Sequence, residues 1–171
     1  MSQPGRFDAE RYEVATAHGD ILLVSALSAE EGAQLGRLFA GIDPWAAYGY
    51  PASVMANFLS SFEPGAPRLR LSVGGTTAGA AVIRPGWLRG PYMQFLALVP
   101  GMQGRGLGSA LLSFIESEAR AGKERNLWVA ASEINGGAIR LYERHGFKRV
   151  ATLDELAWDG RAEILFRKRL T

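Results

Sequence analysis

The chain has 171 residues, of which 47% are hydrophobic and 21% charged, as expected of one globular domain. It contains no cysteine, which excludes a disulfide framework, a thiolate zinc site and a cysteine nucleophile. Nineteen basic and 17 acidic residues leave a formal net charge of +2, which is too small to indicate a nucleic-acid partner. The two histidines, His18 and His145, lie far apart in the sequence, so no metal site is predicted.

Targeting signals are not visible in the sequence. The first residues are polar and lack the apolar segment of a signal peptide. No apolar run approaches the ~20 residues that a membrane-spanning helix needs. We therefore expect a cytoplasmic protein without a membrane partner, with a flexible terminus over residues 1–12 and a single domain over residues 13–171.

The first predicted elements are a strand and two helices. Residues 21–25 are a short β-rich run and are predicted as the first strand. Ser28 and Glu31 have the spacing of a capping box, which marks the start of a helix. After a loop that contains two prolines, residues 52–62 predict a second helix.

A hairpin is predicted next. Leu69, Leu71 and Val73 alternate with polar residues, which is the pattern of a half-buried strand. A pair of glycines then turns the chain, and residues 78–84 return as the second arm. Residues 85–91, between two prolines, are predicted to be a loop.

The C-terminal half alternates between strands and helices. Its predicted elements are a strand over 92–99, a helix over 106–121, a strand over 126–130, a helix over 137–145, and strands over 148–152 and 162–169. The whole pattern predicts a single-domain α/β (α+β) fold, with a mixed central sheet of about six to seven strands flanked by about four helices.

A glycine-rich turn joins the buried strand to the long helix. Glycines at 104, 106 and 108 allow backbone N–H groups to crowd around a ligand, and the helix start adds a partial positive charge. Arg105 lies at this positive end, and the first carboxylate of the helix is Glu116. This arrangement favours a bound anion over the alternative, in which the glycines only allow close packing of the helix.

Two common phosphate-binding motifs do not fit this turn. A Walker loop requires Lys-Ser or Lys-Thr at the helix start, and the turn has neither. A dinucleotide-binding motif would have glycine in place of Ser109 and would open a longer series of βαβ units, whereas only about 60 residues follow Gly108. The sequence therefore argues against a Rossmann fold.

The last predicted helix carries a candidate proton donor. Asn135 lies at its start and Tyr142 two turns later, so both side chains project to the same side. A tyrosine hydroxyl can protonate a departing thiolate. The alternative role for Tyr142 is that of a core aromatic residue. Gly146 and Phe147 have the pattern of a Schellman stop, so His145 is predicted to complete the helix rather than to act in catalysis.

The order of strand, glycine-rich turn, helix, strand, Asn135 and Tyr142 resembles that of the GNAT superfamily of N-acetyltransferases. The family element Q/R-x-x-G-x-G/A binds the pyrophosphate of acetyl-CoA, and its matching residues here are Gln103, Gly106 and Gly108. The resemblance is specific over residues 93–147 and implies a GNAT-like fold with acetyl-CoA as cosubstrate and no metal.

The resemblance implies roles for individual residues. Backbone groups near Leu98 and Val99, where two strands splay apart, would bind the pantetheine arm and the acetyl carbonyl. Asn135 would contact the pantetheine, and Tyr142 would be the general acid. The pyrophosphate would be held by Gln103, Gly104, Arg105, Gly106, Leu107, Gly108 and Ser109.

The implied reaction is transfer of an acetyl group to a primary amine of a small molecule or peptide, by direct attack in a ternary complex. The alternative is a catalytically silent acyl-CoA-binding or regulatory module of the same fold. Residues 92–99 carry no carboxylate, and Ala130 stands where some relatives have glutamate. Asp43, Glu63 and Glu133 are the remaining candidates for a base, and a homodimer is left open.

The amine acceptor is expected to bind over the coenzyme, against the first two helices and residues 85–91. Aromatic residues in these loops predict an apolar pocket or a flat cleft, with simple capping of the core as the alternative. A polycationic acceptor would need an acid-rich cleft, and these loops offer only Asp43. The predicted acceptor-binding residues are Trp45, Tyr48, Trp87, Tyr92 and Glu133.

Overall fold

The computed structural model describes Phe7 and residues 10–171. Within this part, eight strands form one mixed sheet in the order β1-β2-β3-β4-β5-β6-β8-β7. The strands are β1 (Arg11–Ala15), β2 (Ile21–Ala26), β3 (Arg68–Val73), β4 (Thr76–Trp87), β5 (Gly90–Leu98), β6 (Asn126–Ser132), β7 (Lys148–Asp154) and β8 (Ala162–Arg169). The helices are α1 (Ala29–Phe39), α2 (Ala52–Ser60), α3 (Leu107–Ala121) and α4 (Gly136–Arg144). The predicted α/β class and four helices are confirmed, and the sheet has one strand more than predicted.

The helices cover both faces of the sheet, and each face has its own core. On one face, α3 and α4 bury residues such as Leu111 and Ile139 against the strands. On the other face, α1 and α2 bury residues such as Phe39 and Leu59 against β4 and β5. None of the helices in the described range is long and apolar enough to cross a membrane.

Two sequence predictions in the first half of the chain were wrong. Strand β1 precedes the predicted first strand and pairs antiparallel with β2, so Arg11 and Tyr12 are part of the sheet. The predicted flexible terminus otherwise lies largely outside the described residues. The predicted second helix ends at Ser60 rather than at residue 62.

Residues 85–91 form a hairpin rather than the predicted loop. Strands β4 and β5 continue through both prolines, and only Leu88 and Arg89 form the turn, with φ angles of 41° and 61°. The start of β6 stabilises this left-handed turn, because the Trp128 indole donates a hydrogen bond to the Leu88 carbonyl at 3.1 Å. Tertiary contacts therefore support a turn that the local sequence does not encode.

Helix α1 begins as predicted and packs unusually close to α2. The Ser28 hydroxyl accepts a hydrogen bond from the Glu31 amide at 3.2 Å, which confirms the predicted cap. The two helices approach each other at Gly32 and Gly36. A Cβ added to Gly36 would lie 2.5 Å from the Cα of Ala56, so the backbones are in direct contact.

We expect Gly36→Ala to destabilise the protein even though alanine is the better helix former by ~1 kcal/mol. Overpacking should lower the free energy of unfolding by roughly 1–3 kcal/mol, measured by denaturant titration. Gly41→Ala is the matched control, because its added Cβ would make only an ordinary contact of 3.4 Å with the Leu38 carbonyl. If Gly36→Ala were more stable than the parent, that result would contradict direct contact between the backbones of α1 and α2 at Gly36.

The centre of the sheet opens at its one parallel junction. Strands β5 and β6 pair only at Tyr92↔Trp128 and Met93↔Val129, and the described strands share no pair beyond these. Parallel neighbours normally continue to exchange hydrogen bonds, so the divergence leaves backbone groups of both strands facing a gap. This gap lies next to the C-terminal end of β5, where the glycine-rich turn begins.

Candidate functional site

The glycine-rich turn presents an unbroken series of backbone N–H groups. Met102 donates to the Val99 carbonyl, and the next amide bonded to the backbone is that of Ala110, which donates to the Gly106 carbonyl. Between them, the seven amides from residue 103 to residue 109 donate to no acceptor in the described part of the chain. Helix α3 also has no acidic residue in its first turn. This is the arrangement that binds an anion.

The three glycines of the turn serve different purposes. Gly104 and Gly106 have φ angles of 75° and 76°, in the left-handed region that bends the chain into the helix. A Cβ at Gly106 would lie 2.9 Å from the His18 ring, whereas one at Gly104 would meet open space. Gly108 lets α3 approach α4, because its Cβ would lie 3.1 Å from Leu141. Close packing therefore accounts for Gly108, whereas the left-handed backbone accounts for glycine at positions 104 and 106.

Arg105 already has an acidic partner within the protein, and its predicted contact with the cosubstrate stays a prediction. Its guanidinium pairs with the Asp20 carboxylate at 2.8 Å and also contacts the Met102 sulfur. Asp20 lies in the turn between β1 and β2, so the pairing depends on a strand that the sequence did not reveal.

A cavity of about 490 Å³ opens at the turn. Most of the residues predicted to bind the cosubstrate line it; they are Leu98, Gln103, Gly104, Gly106, Leu107, Gly108, Ser109 and Asn135. Val99 and Arg105 are not part of this lining. His18 and Arg144 also line the cavity, so basic side chains flank the free amides.

The backbone of β5 is oriented towards the gap. The Val99 amide donates to the Ala78 carbonyl on β4 at 2.8 Å. Because bonded and non-bonded pairs alternate in an antiparallel ladder, Leu98 and Leu96 direct their N–H and C=O groups away from β4. The Leu98 carbonyl accepts a hydrogen bond from the Gln103 side chain at 3.4 Å.

A second cavity, of about 420 Å³, adjoins the first. The walls that the two cavities share are Pro44, Trp45, Leu96, Asn135, Ala138 and Leu141. The second cavity occupies the gap between β5 and β6, and Tyr142 lines it. One continuous cleft therefore runs from the free amides to Tyr142.

Tyr142 lies deep in the protein, with 5% of its surface exposed. Its ring contacts those of Phe147 and Phe166 at centroid distances of 5.9 and 5.7 Å. Burial raises the pKa of its hydroxyl well above the ordinary value of 10, and the nearby Tyr92 and Glu163 raise it further. The hydroxyl is therefore protonated at neutral pH, in a residue that lines the second cavity.

The end of α4 confirms the predicted stop. The Phe147 amide donates to the Tyr142 carbonyl and the Gly146 amide to the Glu143 carbonyl, which is the Schellman pattern. His145 caps the helix. At the other end, the Asn135 side chain accepts a hydrogen bond from the Ala138 amide at 3.1 Å.

The residues predicted to bind the acceptor separate into two groups. Trp45, Tyr48 and Tyr92 line the second cavity. Trp87 and Glu133 do not; Trp87 packs on Tyr92 with ring centroids 4.7 Å apart. The aromatic lining favours a pocket over simple capping of the core.

None of the three candidate bases lines the second cavity. The Glu63 carboxylate pairs with Arg84 at 2.8 Å and with Arg68, and these partners hold its pKa below the usual range. Asp43 lines the first cavity and accepts a hydrogen bond from the Ala47 amide. Glu133 accepts one from the Ala162 amide at 3.3 Å.

The carboxylate that does line the second cavity is Glu163, which the sequence analysis did not identify. It lies on β8, which inserts between β6 and β7 and pairs Glu163 with Ser132. The alternating pattern of β8 indicates only that the side chains of Glu163 and the buried Ile164 lie on opposite faces of the sheet. The sheet order alone places it beside the gap.

Comparisons with known proteins agree with this architecture. The sequence profile described as "Acetyltransferase (GNAT) family" matches residues 34–147. An acetyltransferase of Agrobacterium fabrum is 36% identical over 72 residues, which cover 42% of this chain and 49% of that protein. The chain spans about half the length of the curated relatives it matches.

Two solved structures share the fold. A GNAT-family structure from Desulfovibrio desulfuricans has a TM-score of 0.69 and 22% identity, and the match covers 88% of this chain and 99% of that one. A Salmonella typhimurium structure, described with its cofactor acetyl-CoA, has a TM-score of 0.65 and 20% identity, with 88% and 94% covered.

The diverging mixed sheet and the glycine-rich bend belong to the fold that this chain shares with the Desulfovibrio desulfuricans structure. The family profile matches 114 of the 171 residues, from 34 to 147 inclusive. The chain therefore belongs to the acetyltransferase (GNAT) family.

Proposed function

We propose that the protein transfers an acetyl group from acetyl-CoA to a primary amine, with Tyr142 as general acid. The observation that carries this proposal is the continuity of the cleft, which joins seven free backbone amides to a buried, protonated tyrosine. An anionic cosubstrate bound at the amides would extend its reactive end towards Tyr142.

The residues of the bend fit a diphosphate. Two left-handed glycines hold the chain in a concave turn, and the start of α3 adds its partial positive charge to the free amides. Arg144 lines the same cavity and can contribute a full positive charge. Acetyl-CoA supplies an activated acetyl group as its thioester, so the chain needs no nucleophile of its own.

The groups that face the gap between β5 and β6 have complementary tasks. The Leu98 amide points away from β4, where it can stabilise the negative charge that develops on the acetyl oxygen. Tyr142 gives its proton to the departing sulfur and recovers one from solvent. Asn135 lines both cavities and is placed to orient the arm between them.

The first test measures cosubstrate binding. A ligand at 100 times its Kd stabilises the folded state by about 2.7 kcal/mol. For a chain of this size, we expect acetyl-CoA at that concentration to raise the Tm by roughly 5–10 °C. Calorimetry should detect the binding of acetyl-CoA directly, and S-acetylpantetheine, which lacks the diphosphate, should bind far more weakly.

The second test distinguishes an enzyme from a silent acyl-CoA-binding module. We expect release of free thiol from acetyl-CoA to depend on an added amine, across a panel of primary amines. Tight acetyl-CoA binding without turnover on any amine would favour the silent module. Tyr142 favours the enzyme, because a binding module has no use for a protonated hydroxyl at the reactive end of the cleft.

A further inference from the structure

Glu163 is a carboxylate without a partner. It is half-buried on β8, and no hydrogen-bond donor or cation in the described ranges pairs with it. Burial raises the pKa of its carboxyl, and the nearby Glu133 carboxylate raises it further. A half-buried charge is costly unless an opposite charge accompanies it. The protein therefore retains an unfavourable group at the wall of its second cavity.

The surroundings of Glu163 are aromatic. Trp45, Tyr48 and Tyr92 line the same cavity. The Tyr48 hydroxyl is buried, and no group in the described part of the chain bonds to it. Arg161 lies with its guanidinium 5.6 Å from the centre of the Tyr48 ring and forms no ion pair with Glu163. The wall of the cavity thus has a carboxylate without a partner in the described residues, among aromatic side chains.

Glu163 also lies close to the reactive end of the cleft. Burial is the main cause of the raised pKa values of the Tyr48, Tyr92 and Tyr142 hydroxyls. The negative charge of Glu163 raises each of these pKa values further. Glu163 and the three tyrosines all line the second cavity. A cation bound to Glu163 would therefore be held near Tyr142.

We propose that Glu163 binds the ammonium group of the acceptor and accepts its proton, and that the acceptor is a small primary amine with one positive charge and an apolar or aromatic body. This inference rests on the proposed function. Pairing with an ammonium would compensate the unpaired charge, and the aromatic faces would add cation–π attraction.

The proton and bond changes balance with these groups alone. The ammonium gives one proton to Glu163 and becomes a nucleophilic amine, and its nitrogen forms a bond to the acetyl carbon. The carbon–sulfur bond breaks, and Tyr142 protonates the sulfur. The nitrogen loses its second proton, which restores Tyr142 through solvent, and Glu163 releases its proton to solvent. The products are the amide, the free thiol and one proton.

The cavity also limits the class of acceptor. Its volume of about 420 Å³ falls within the range of small-molecule pockets. Glu163 is the one carboxylate in its described lining, so a polyamine would bring additional ammonium groups without partners. The aromatic side chains in the lining favour an aromatic or aliphatic body on the acceptor.

The test compares Glu163→Gln with the parent on 2-phenylethylamine, with spermidine and alanylalanine as competing classes. We expect the KM for 2-phenylethylamine to rise at least about 30-fold in Glu163→Gln, because a charged partner is lost. The Kd for acetyl-CoA should stay within about twofold of the parent value. Asp154→Asn, an exposed carboxylate opposite Ala162, is the matched control and should leave both constants unchanged.

The pH profile provides a readout that a structural role would not change. The kcat/KM of the parent should fall at low pH as Glu163 is protonated. The titratable and charged groups around Glu163 are Glu133, Arg161 and the three tyrosines. Glu163→Gln should lack this acid limb. Since glutamine removes a buried charge while keeping the shape of the side chain, its Tm should equal or exceed that of the parent.

The possible results distinguish failure of the inference about Glu163 from failure of the proposed function. Preference for 2-phenylethylamine together with the Glu163→Gln defect supports the inference. Equal or better turnover of spermidine or alanylalanine, or an unchanged KM in Glu163→Gln, overturns it while the acetyl transfer itself stands. Failure of the parent to bind acetyl-CoA would instead overturn the proposed function.

Discussion

Tyr142→Phe should lower kcat by about 10²–10⁴-fold, which is the usual contribution of a positioned general acid. Phenylalanine keeps the ring contacts with Phe147 and Phe166, so the core should remain packed. The hydroxyl lacks a hydrogen-bond partner in the described residues, and its removal leaves no protein group unpaired. We therefore expect an unchanged Tm and an unchanged Kd for acetyl-CoA, measured together with steady-state thiol release.

Tyr12→Phe is the control for the loss of a tyrosine hydroxyl. Tyr12 lies on β1, and its ring centroid is 4.6 Å from that of Phe114. Because Tyr12 lines neither cavity, the kcat of Tyr12→Phe should equal that of the parent. Full activity in Tyr142→Phe would show that another group protonates the sulfur. A large drop in its Tm would indicate a structural rather than a chemical defect.

The raised pKa of Tyr142 has a consequence for alkaline pH. A tyrosine is active as an acid only below its pKa, and burial moves that pKa above the ordinary value of 10. Loss of the Tyr142 proton should therefore not reduce kcat of the parent up to about pH 10. A decline in kcat near pH 8 that disappears in Tyr142→Phe would contradict this assignment.

Gly104→Ala is expected to weaken acetyl-CoA binding by about 10–100-fold, which corresponds to one lost hydrogen bond to a charged group. Gly104 is left-handed and lines the first cavity among the free amides. A methyl group at position 104 would not contact any protein atom within 4 Å. It would therefore project into the space in which we propose that the ligand binds. Calorimetry with coenzyme A measures the effect directly.

Gly101→Ala is a closely matched control for backbone strain. Gly101 has a φ of 85°, its Cβ would also meet open space, and it does not line either cavity. Both substitutions place alanine in the left-handed region, at a cost of roughly 1–2 kcal/mol. The two variants should lose similar stability, and only Gly104→Ala should lose affinity. Equal affinities in both would contradict an anion site at the bend.

Much of the architecture followed from local patterns. The capping box at Ser28, the alternation of β3 and the Schellman stop at Gly146 each depend on a few neighbouring residues. The glycine spacing from 104 to 108 likewise indicated an amide-lined bend. These features were predictable because their hydrogen bonds form within a few residues along the chain.

The acceptor end of the site was not predictable in the same way. Glu163 occupies an ordinary strand position in the sequence. It lines the cavity only because β8 lies next to β6, at the point where β5 and β6 have separated. The pairing of Arg105 with Asp20 joins residues 85 positions apart. The hairpin turn at Leu88 likewise relies on a hydrogen bond from Trp128.

The amino-acid sequence by itself determined most of the helices and strands, the glycine-rich bend and the position of Tyr142 within its helix, because short-range periodicity and capping decide these features. The tertiary structure alone decided which charges are paired and which remain free. Long-range strand order sets that outcome, since it brings Asp20 to Arg105 and leaves Glu163 beside the cleft with no partner among Phe7 and residues 10–171.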